Sequence, residues 1–254
     1  MPHPMKPIER TLAAFEVAAR EYHQLRAKVA RSQEERRALD KELRDRLADL
    51  KLRYNQLTVE ADIAEQVANQ EALQEYRAHN NKALDSDKAV SKAARATMKA
   101  EPHHPTEVLR KNMAAIGDVE PDRYCRCHHI VMGVGKKERD PVTNERRPTK
   151  NSLQARAKLH MLGIGINDPH NGVFLPASLA HVPHWRFPRA LPHANIHTLA
   201  YEKMVVDYVG HLNDQQSLVQ NLRRIRRHLE EGDRILFMRE EKQLAYNEKM
   251  KLLA

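Results

Sequence analysis

Glycine and proline divide this chain more sharply than any other residues. All eight glycines lie at or beyond Gly117, and no proline stands between Pro7 and Pro102. More than ninety residues without either helix breaker, rich in Ala, Leu, Glu, Lys, Arg and Gln, predict helix throughout. The apolar spacing agrees. Leu12, Phe15, Ala19, Tyr22 and Val29 follow one helical stripe, and Leu43, Leu47, Leu50, Tyr54 and Leu57 step by four, three, four and three, a short heptad seam of the kind that pairs helices. The polar run Ala78-His79-Asn80-Asn81, followed by Asp85-Ser86-Asp87, marks a turn. Residues 8–100 are expected to form a helical hairpin or coiled coil rather than a catalytic domain. They read as a packing or docking element with solvated charged faces.

Glu101-Pro102-His103-His104-Pro105 breaks this texture and reads as a linker. The expected division is helices over 1–101, a linker over 102–120, and a mixed domain over 121–254. Within the last, Ile130-Val131-Met132 and Val173-Phe174-Leu175 are short β-like runs. A helix is expected over Asn151 to Met161, with Leu153, Ala157 and Met161 on its inner face and Gly163 stopping it. Further helices are expected over Leu199 to Val209, Ser217 to Leu229 and Ile235 to Leu253, the last two divided by Glu231-Gly232-Asp233. The fold class is mainly α with a small β element.

The 254 residues carry a net charge of +9, 43 Lys and Arg against 34 Asp and Glu. A basic surface suits a polyanionic partner, because phosphate contacts release counterions. Charge alone assigns no partner. Met1 to Glu9 holds no apolar segment of the signal-peptide kind, and no run of apolar residues is long enough to span a bilayer. The expectation is a soluble chain made in the cytoplasm, with no membrane partner. Cys125 and Cys127 are the only cysteines. They stand too close for an unstrained disulfide, so they read as free thiols or metal ligands. A structural zinc on both thiols and two of His170, His181 and His184 is one arrangement to test.

Chemistry concentrates in the histidines, fifteen in all. His128-His129 adjoins the first β-like run, Asn171-Gly172 precedes the second, and His193 and His197 sit four apart where a helix is expected to begin. Imidazoles at i and i+4 on a helix share one face and can grip one divalent ion. Neighbours on a strand point to opposite sides. One member of His128-His129 can then complete the metal site while the other faces substrate. Single-metal phosphodiester cleavage needs this set: a histidine base for water, a cation for developing charge, and an amide to hold a ring.

At these residues the chain resembles the HNH/endonuclease VII (ββα-metal) superfamily, and within it the toxin nucleases named for an Ala-His-His (AHH) signature. The likeness runs through Cys127-His128-His129-Ile130-Val131, Ala155-Arg156-Ala157-Lys158-Leu159 and Gly163-Ile164-Gly165-Ile166-Asn167. It continues through Asn171-Gly172-Val173-Phe174-Leu175-Pro176 and His193-Ala194-Asn195-Ile196-His197, covering residues 120–210. Cys127 stands where the signature has Ala. The resemblance implies a ββα-metal domain with C-terminal helices. It makes His128, His193 and His197 metal ligands, His129 the general base and Asn171 the residue that orients it. The cofactor is one divalent ion, Mg, Mn, Zn or Ni. Arg126, Lys136, Lys137 and Arg156 are candidates for contacts to the nucleic-acid backbone. Trp185 and Phe187 are expected to fill the core beneath the site, with base stacking the other use.

The implied function is a metal-dependent endonuclease acting on DNA, with RNA as the alternative, at low sequence specificity. Such proteins serve as antibacterial effectors of the type VI secretion kind. They act in the target cell's cytoplasm, with a cognate immunity protein and a secretion carrier docked on the front helices. The competing readings are a zinc-stabilised nucleic-acid-binding protein without activity and an adaptor built on its helices.

Overall fold

The computed structural model describes residues 7–133, 135, 137–139, 146–233 and 238–251. They fall into two compact units, Met1–Ala68 and Asn69–Ala254.

The first unit is an antiparallel helical hairpin. It pairs α1 (Pro7–Arg26) with the leading part of α2 (Gln33–Asn81). Thr11 bonds Glu60, the Phe15 ring meets that of Tyr54 at 6.3 Å, and Arg46 pairs with Glu21 at 2.8 Å. Ala18 and Leu25, seven apart, are the buried positions of α1. The expected stripe is therefore only partly the packed one. Leu12 is exposed, and Val29, 88% exposed, lies in the break between the helices. A reciprocal cap makes that break: Ser32 Oγ accepts from Glu35 N at 3.1 Å, and the Glu35 carboxylate accepts from Arg31 N at 2.7 Å. On α2, Leu43, Leu50 and Leu57 are half-buried while Tyr54 is 59% exposed.

The second unit begins with the last turns of α2. A 3₁₀ turn follows, and then α3 (Lys88–Ala100), capped by Asp87, whose side chain accepts from Ala89 N and Val90 N. The turn falls where the polar run predicts it. The stretch read as a linker instead holds α4 (Glu107–Ala115), and Leu109 and Met113 are wholly buried. β1 (Cys125–His129) pairs antiparallel with β4 (Gly172–Pro176), bringing His128 opposite Val173 and His129 opposite Gly172. Between them come a ribbon of β2 (Lys137–Arg139) and β3 (Arg146–Pro148), and then α5 (Lys150–Met161). Helices α6 (Leu199–Val209), α7 (Gln215–Glu231) and α8 (Glu240–Lys251) complete the unit.

The alternation of β1 and β4 sorts their side chains between two cores. Cys125, Cys127 and Phe174 pack against Leu109 and Met113 of α4. Val173 and Leu175 face the larger core with Leu159, Ile166, Val205, Leu222 and Ile225. Two expectations change. The first strand ends where Ile130-Val131-Met132 begins, because Asn171 takes the backbone groups that a ladder would pair. Ile130 N donates to Asn171 O at 2.8 Å and Val131 N to Asn171 Oδ1 at 2.7 Å. On α5 the buried face is Ser152, Ala155 and Leu159, whereas Leu153 and Met161 are about half exposed and Ala157 is exposed. The last helix is described from Glu240, and residues 235–237 and 252–253 of its expected span lie outside the described residues. Gly163 does stop α5, with φ +71.

Candidate active site

Adjacent strand residues point to opposite faces, so the His128 and His129 rings part at the end of β1. His128, buried, meets His193 and His197 with ring centroids 5.1 and 5.2 Å away. One nitrogen from each of the three lies within 4.8 Å of the others, and Nε2 of His193 is 3.2 Å from Nε2 of His197. The latter two do not share an α-helix, as their spacing suggests. His193–Asn195 is a single 3₁₀ turn, and Thr198 caps α6 from an extended backbone before Leu199. The turn and the loop after it still aim both rings at His128. The Tyr201 hydroxyl donates to Ile130 O at 2.9 Å and lies 3.4 Å from His128 Nε2, steadying that ring from α6.

Burial, and then the neighbouring His197, brings His193 down to about 4, and burial holds His128 well below the usual histidine range. Three imidazoles whose nitrogens converge fit one divalent ion. They leave open the further positions that a catalytic metal uses. His197 is exposed and His193 half-buried, so solvent and substrate reach the trio.

His129 turns the other way. Its Nε2 lies 3.0 Å from Asn167 Oδ1. The amide orientation is fixed, because Asn167 Nδ2 donates to Glu101 Oε1 at 2.7 Å and to Pro102 O at 3.0 Å. An amide oxygen only accepts, so His129 Nε2 carries the hydrogen and Nδ1 keeps the lone pair. Burial lowers His129 to about 4 despite the opposing bond to Asn167. The ring is therefore neutral and able to take a proton at neutral pH. Glu101 Oε2 in turn accepts from the Tyr76 hydroxyl at 3.0 Å, and that hydroxyl accepts from Asn167 N at 3.1 Å.

The structure thus gathers His128, His129, His193 and His197 and corrects the expectation for Asn171. Its side chain, wholly buried, gives Oδ1 to Val131 N and donates from Nδ2 to Val131 O at 3.1 Å and Ile166 O at 2.9 Å. Both of its amide hydrogens go to backbone carbonyls and its oxygen accepts from Val131 N, so the amide holds backbone rather than His129. It braces the turn behind the histidine pair, and Asn167 takes the orienting position. Asn167 closes the Gly163–Asn167 motif. Glu101 and Tyr76 lie 28 and 53 residues before His129 and carry no local signal.

Of the four expected backbone-binding residues, Arg126 is exposed on β1. Its Nη1 donates to Arg123 O and Cys125 O, and its charge helps to depress His193. Arg156 is not free for phosphate. Its guanidinium donates to Gly133 O at 2.7 Å, Lys99 O at 3.0 Å and Glu101 O at 3.1 Å, clamping the segment after α3. Lys136 lies outside the described residues, and Lys137 belongs to β2. The two cysteines do not share a site. Cys127 Sγ is 3.6 Å from Met113 Sδ, while Cys125 Sγ is 3.6 Å from His184 Nε2, which also lies 3.0 Å from Asp122 Oδ2. Burial raises the thiols to about 11 for Cys125 and about 12 for Cys127, so both are protonated. His170 and His181 join neither thiol in a metal-ligating group among the described residues. Trp185 is 72% exposed and donates to Asp122 rather than filling the core, whereas Phe187 packs against both cores.

The four histidines line one open cavity of about 750 Å³, together with Tyr201 and Glu202. Among the described residues no helix is long and apolar enough to cross a membrane. No curated protein and no solved structure matches the chain. A family model does match residues 109–230, described as a nuclease family of the HNH/ENDO VII superfamily with conserved AHH. Residues 109–230, just under half of the chain, are therefore similar to the AHH nuclease family of the HNH/ENDO VII superfamily, whose members hydrolyse phosphodiester bonds.

Proposed function

We propose that the chain is an endonuclease that cuts DNA with little sequence preference, using His129 as general base beside a divalent ion held by His128, His193 and His197. The observation that carries this reading is the back-to-back placement of His128 and His129. One ring joins a cluster of three converging imidazoles, and the other is held neutral with its Nδ1 lone pair free. A bound divalent ion would supply Lewis-acid stabilisation of charge on the phosphate and leaving oxygen. The protein's own part is to hold His129 in one tautomer through Asn167, so that Nδ1 accepts the proton of an attacking water. Glu101 keeps the amide of Asn167 from flipping. Thr198 and Asn171 set the two loops that present the ligands.

Low sequence preference fits an open cavity lined by six histidines. The basic composition suits backbone contact. The antibacterial effector role, with a cognate immunity protein and a secretion carrier on the hairpin of α1 and α2, is supported by the sequence resemblance to AHH toxin nucleases. The deciding experiment incubates purified protein with plasmid DNA and, separately, structured RNA, with Mg, Mn, Zn or Ni. It compares wild type with His129→Ala. Metal-dependent cutting of DNA by wild type alone is expected. His129→Ala cutting at the wild-type rate would remove His129 from the base role, and cutting of RNA only would change the substrate. Expression in a bacterium, scored by growth and genomic DNA integrity, tests the toxin role.

A further inference from the structure

We infer that His104, delivered over the active site by the Glu101–His104 segment, is a substrate-binding residue that donates a hydrogen bond to an oxygen of the phosphodiester being cut. This rests on the nuclease reading above. The segment lies before the matched residues 109–230, yet it forms one wall of the cavity. The His103 and His104 rings lie 4.6 Å apart, and each lies 6.3 Å from the ring of His129. They sit on the His129 side, whereas His193 and His197 gather around His128. A phosphodiester reaching from the metal trio across His129 therefore arrives at His104.

The wall is built rather than draped. Arg156 ties Lys99 O and Glu101 O to Gly133 O, Asn167 grips the Glu101 carboxylate and Pro102 O, and Leu109 and Met113 anchor the following helix. His103 is half-buried, and a Cβ placed on Gly133 would run into its ring. Glycine at 133 is what admits His103 against the backbone there. His104, next in the chain, is exposed and faces the cavity. An imidazole at such a place offers an N–H in every tautomer, so it can donate to a phosphate oxygen. It adds a donor to the polar lining of the cavity beside His129.

Two readouts test this. In a His129→Ala background, which leaves substrate uncut, fluorescence anisotropy with a short DNA duplex and Mn²⁺ measures binding with and without His104→Ala. Adding His104→Ala should weaken the affinity about 3- to 10-fold. Adding Gly133→Ala, which displaces His103 but leaves both histidines in the sequence, should weaken it likewise. With His129 present, His104→Ala should lower kcat/KM roughly 10- to 100-fold, and His104→Asn, which keeps a donor, should recover part of the loss. Unchanged affinity and unchanged kcat/KM in His104→Ala would overturn the inference while leaving the nuclease reading intact. Failure of the wild type to bind or cut any nucleic acid with any of the metals would overturn both.

Discussion

The side-chain oxygen of Asn167 sits 3.0 Å from Nε2 of His129, and no other tautomer of His129 satisfies that contact. Replacing Asn167 by Ala should therefore leave metal binding unchanged and lower kcat, because the ring can then turn or take its hydrogen on Nδ1. A loss of roughly 10- to 100-fold is expected, of the size seen when an orienting partner is removed from a catalytic site. Steady-state kinetics beside isothermal titration with Mn²⁺ separate the two effects. A fall in metal affinity equal to the fall in kcat would contradict the assignment.

The metal trio makes a separate prediction. His193→Ala or His197→Ala should weaken Mn²⁺ binding by at least about tenfold, since each removes one of the three proposed ligands. His129→Ala should leave that affinity within about twofold, its ring facing away from the trio. EDTA should abolish cutting, and added metal should restore it in wild type but not in His129→Ala.

Burial lowers His129 and His160 to about 4, so in the metal-free protein both stay neutral under conditions where the unfolded chain protonates near 6.5. The unfolded state then binds more protons between about pH 6.5 and pH 4, and stability must rise with pH across that window. Held in EDTA, the protein should lose melting temperature steadily as the pH is lowered from about 6.5 to 4, with little change above 7. His160→Gln should flatten the slope. A melting temperature independent of pH over this range would refute the neutral state of these rings.

Arg77 grips Asp168 with two bonds, Nε to Oδ2 at 2.9 Å and Nη2 to Oδ1 at 3.1 Å, and the Asp168 side chain is only 5% exposed. Asp168 also accepts from His170 N, capping the turn that precedes β4. Arg77→Ala leaves that carboxylate buried and unpaired. A loss of about 2 kcal/mol is expected, less than for a fully buried pair because Arg77 is about one-third exposed. Chemical denaturation measures it, and a double change with Asp168→Asn should cost less than the sum.

Asn171→Ala should behave unlike Asn167→Ala. It strands Val131 N, Val131 O and Ile166 O in the core, so about 2–3 kcal/mol of stability should go. Activity per folded molecule should fall far less than in Asn167→Ala.

The histidines were legible because their order along the chain, with short apolar runs between them, mirrors their order in space. Local spacing served less well where two histidines four apart suggested a helix. A 3₁₀ turn and an extended Thr198 bring His193 and His197 together instead. Asn171 and Asn167 are both amides beside a short strand, and only the hydrogen bonds show that one braces backbone while the other holds a ring. Glu101, Tyr76 and His104 left no mark, because their partners lie 25 to 91 residues away and share no periodicity with them. The break after α1 did carry a mark, the Ser32-x-x-Glu35 pattern that its cap uses.

The tie from Tyr76 through Glu101 to Asn167 bears on where this nuclease can be cut from its host chain. A fragment starting at residue 109 would keep all four site histidines, yet it would strip the Asn167 amide of both acceptors that set its direction and lose the Arg77 clamp on Asp168. A transplantable form of the site begins inside the long second helix, ahead of Tyr76, and grafts joined there should keep the proposed base held in place where shorter ones carry only its ring.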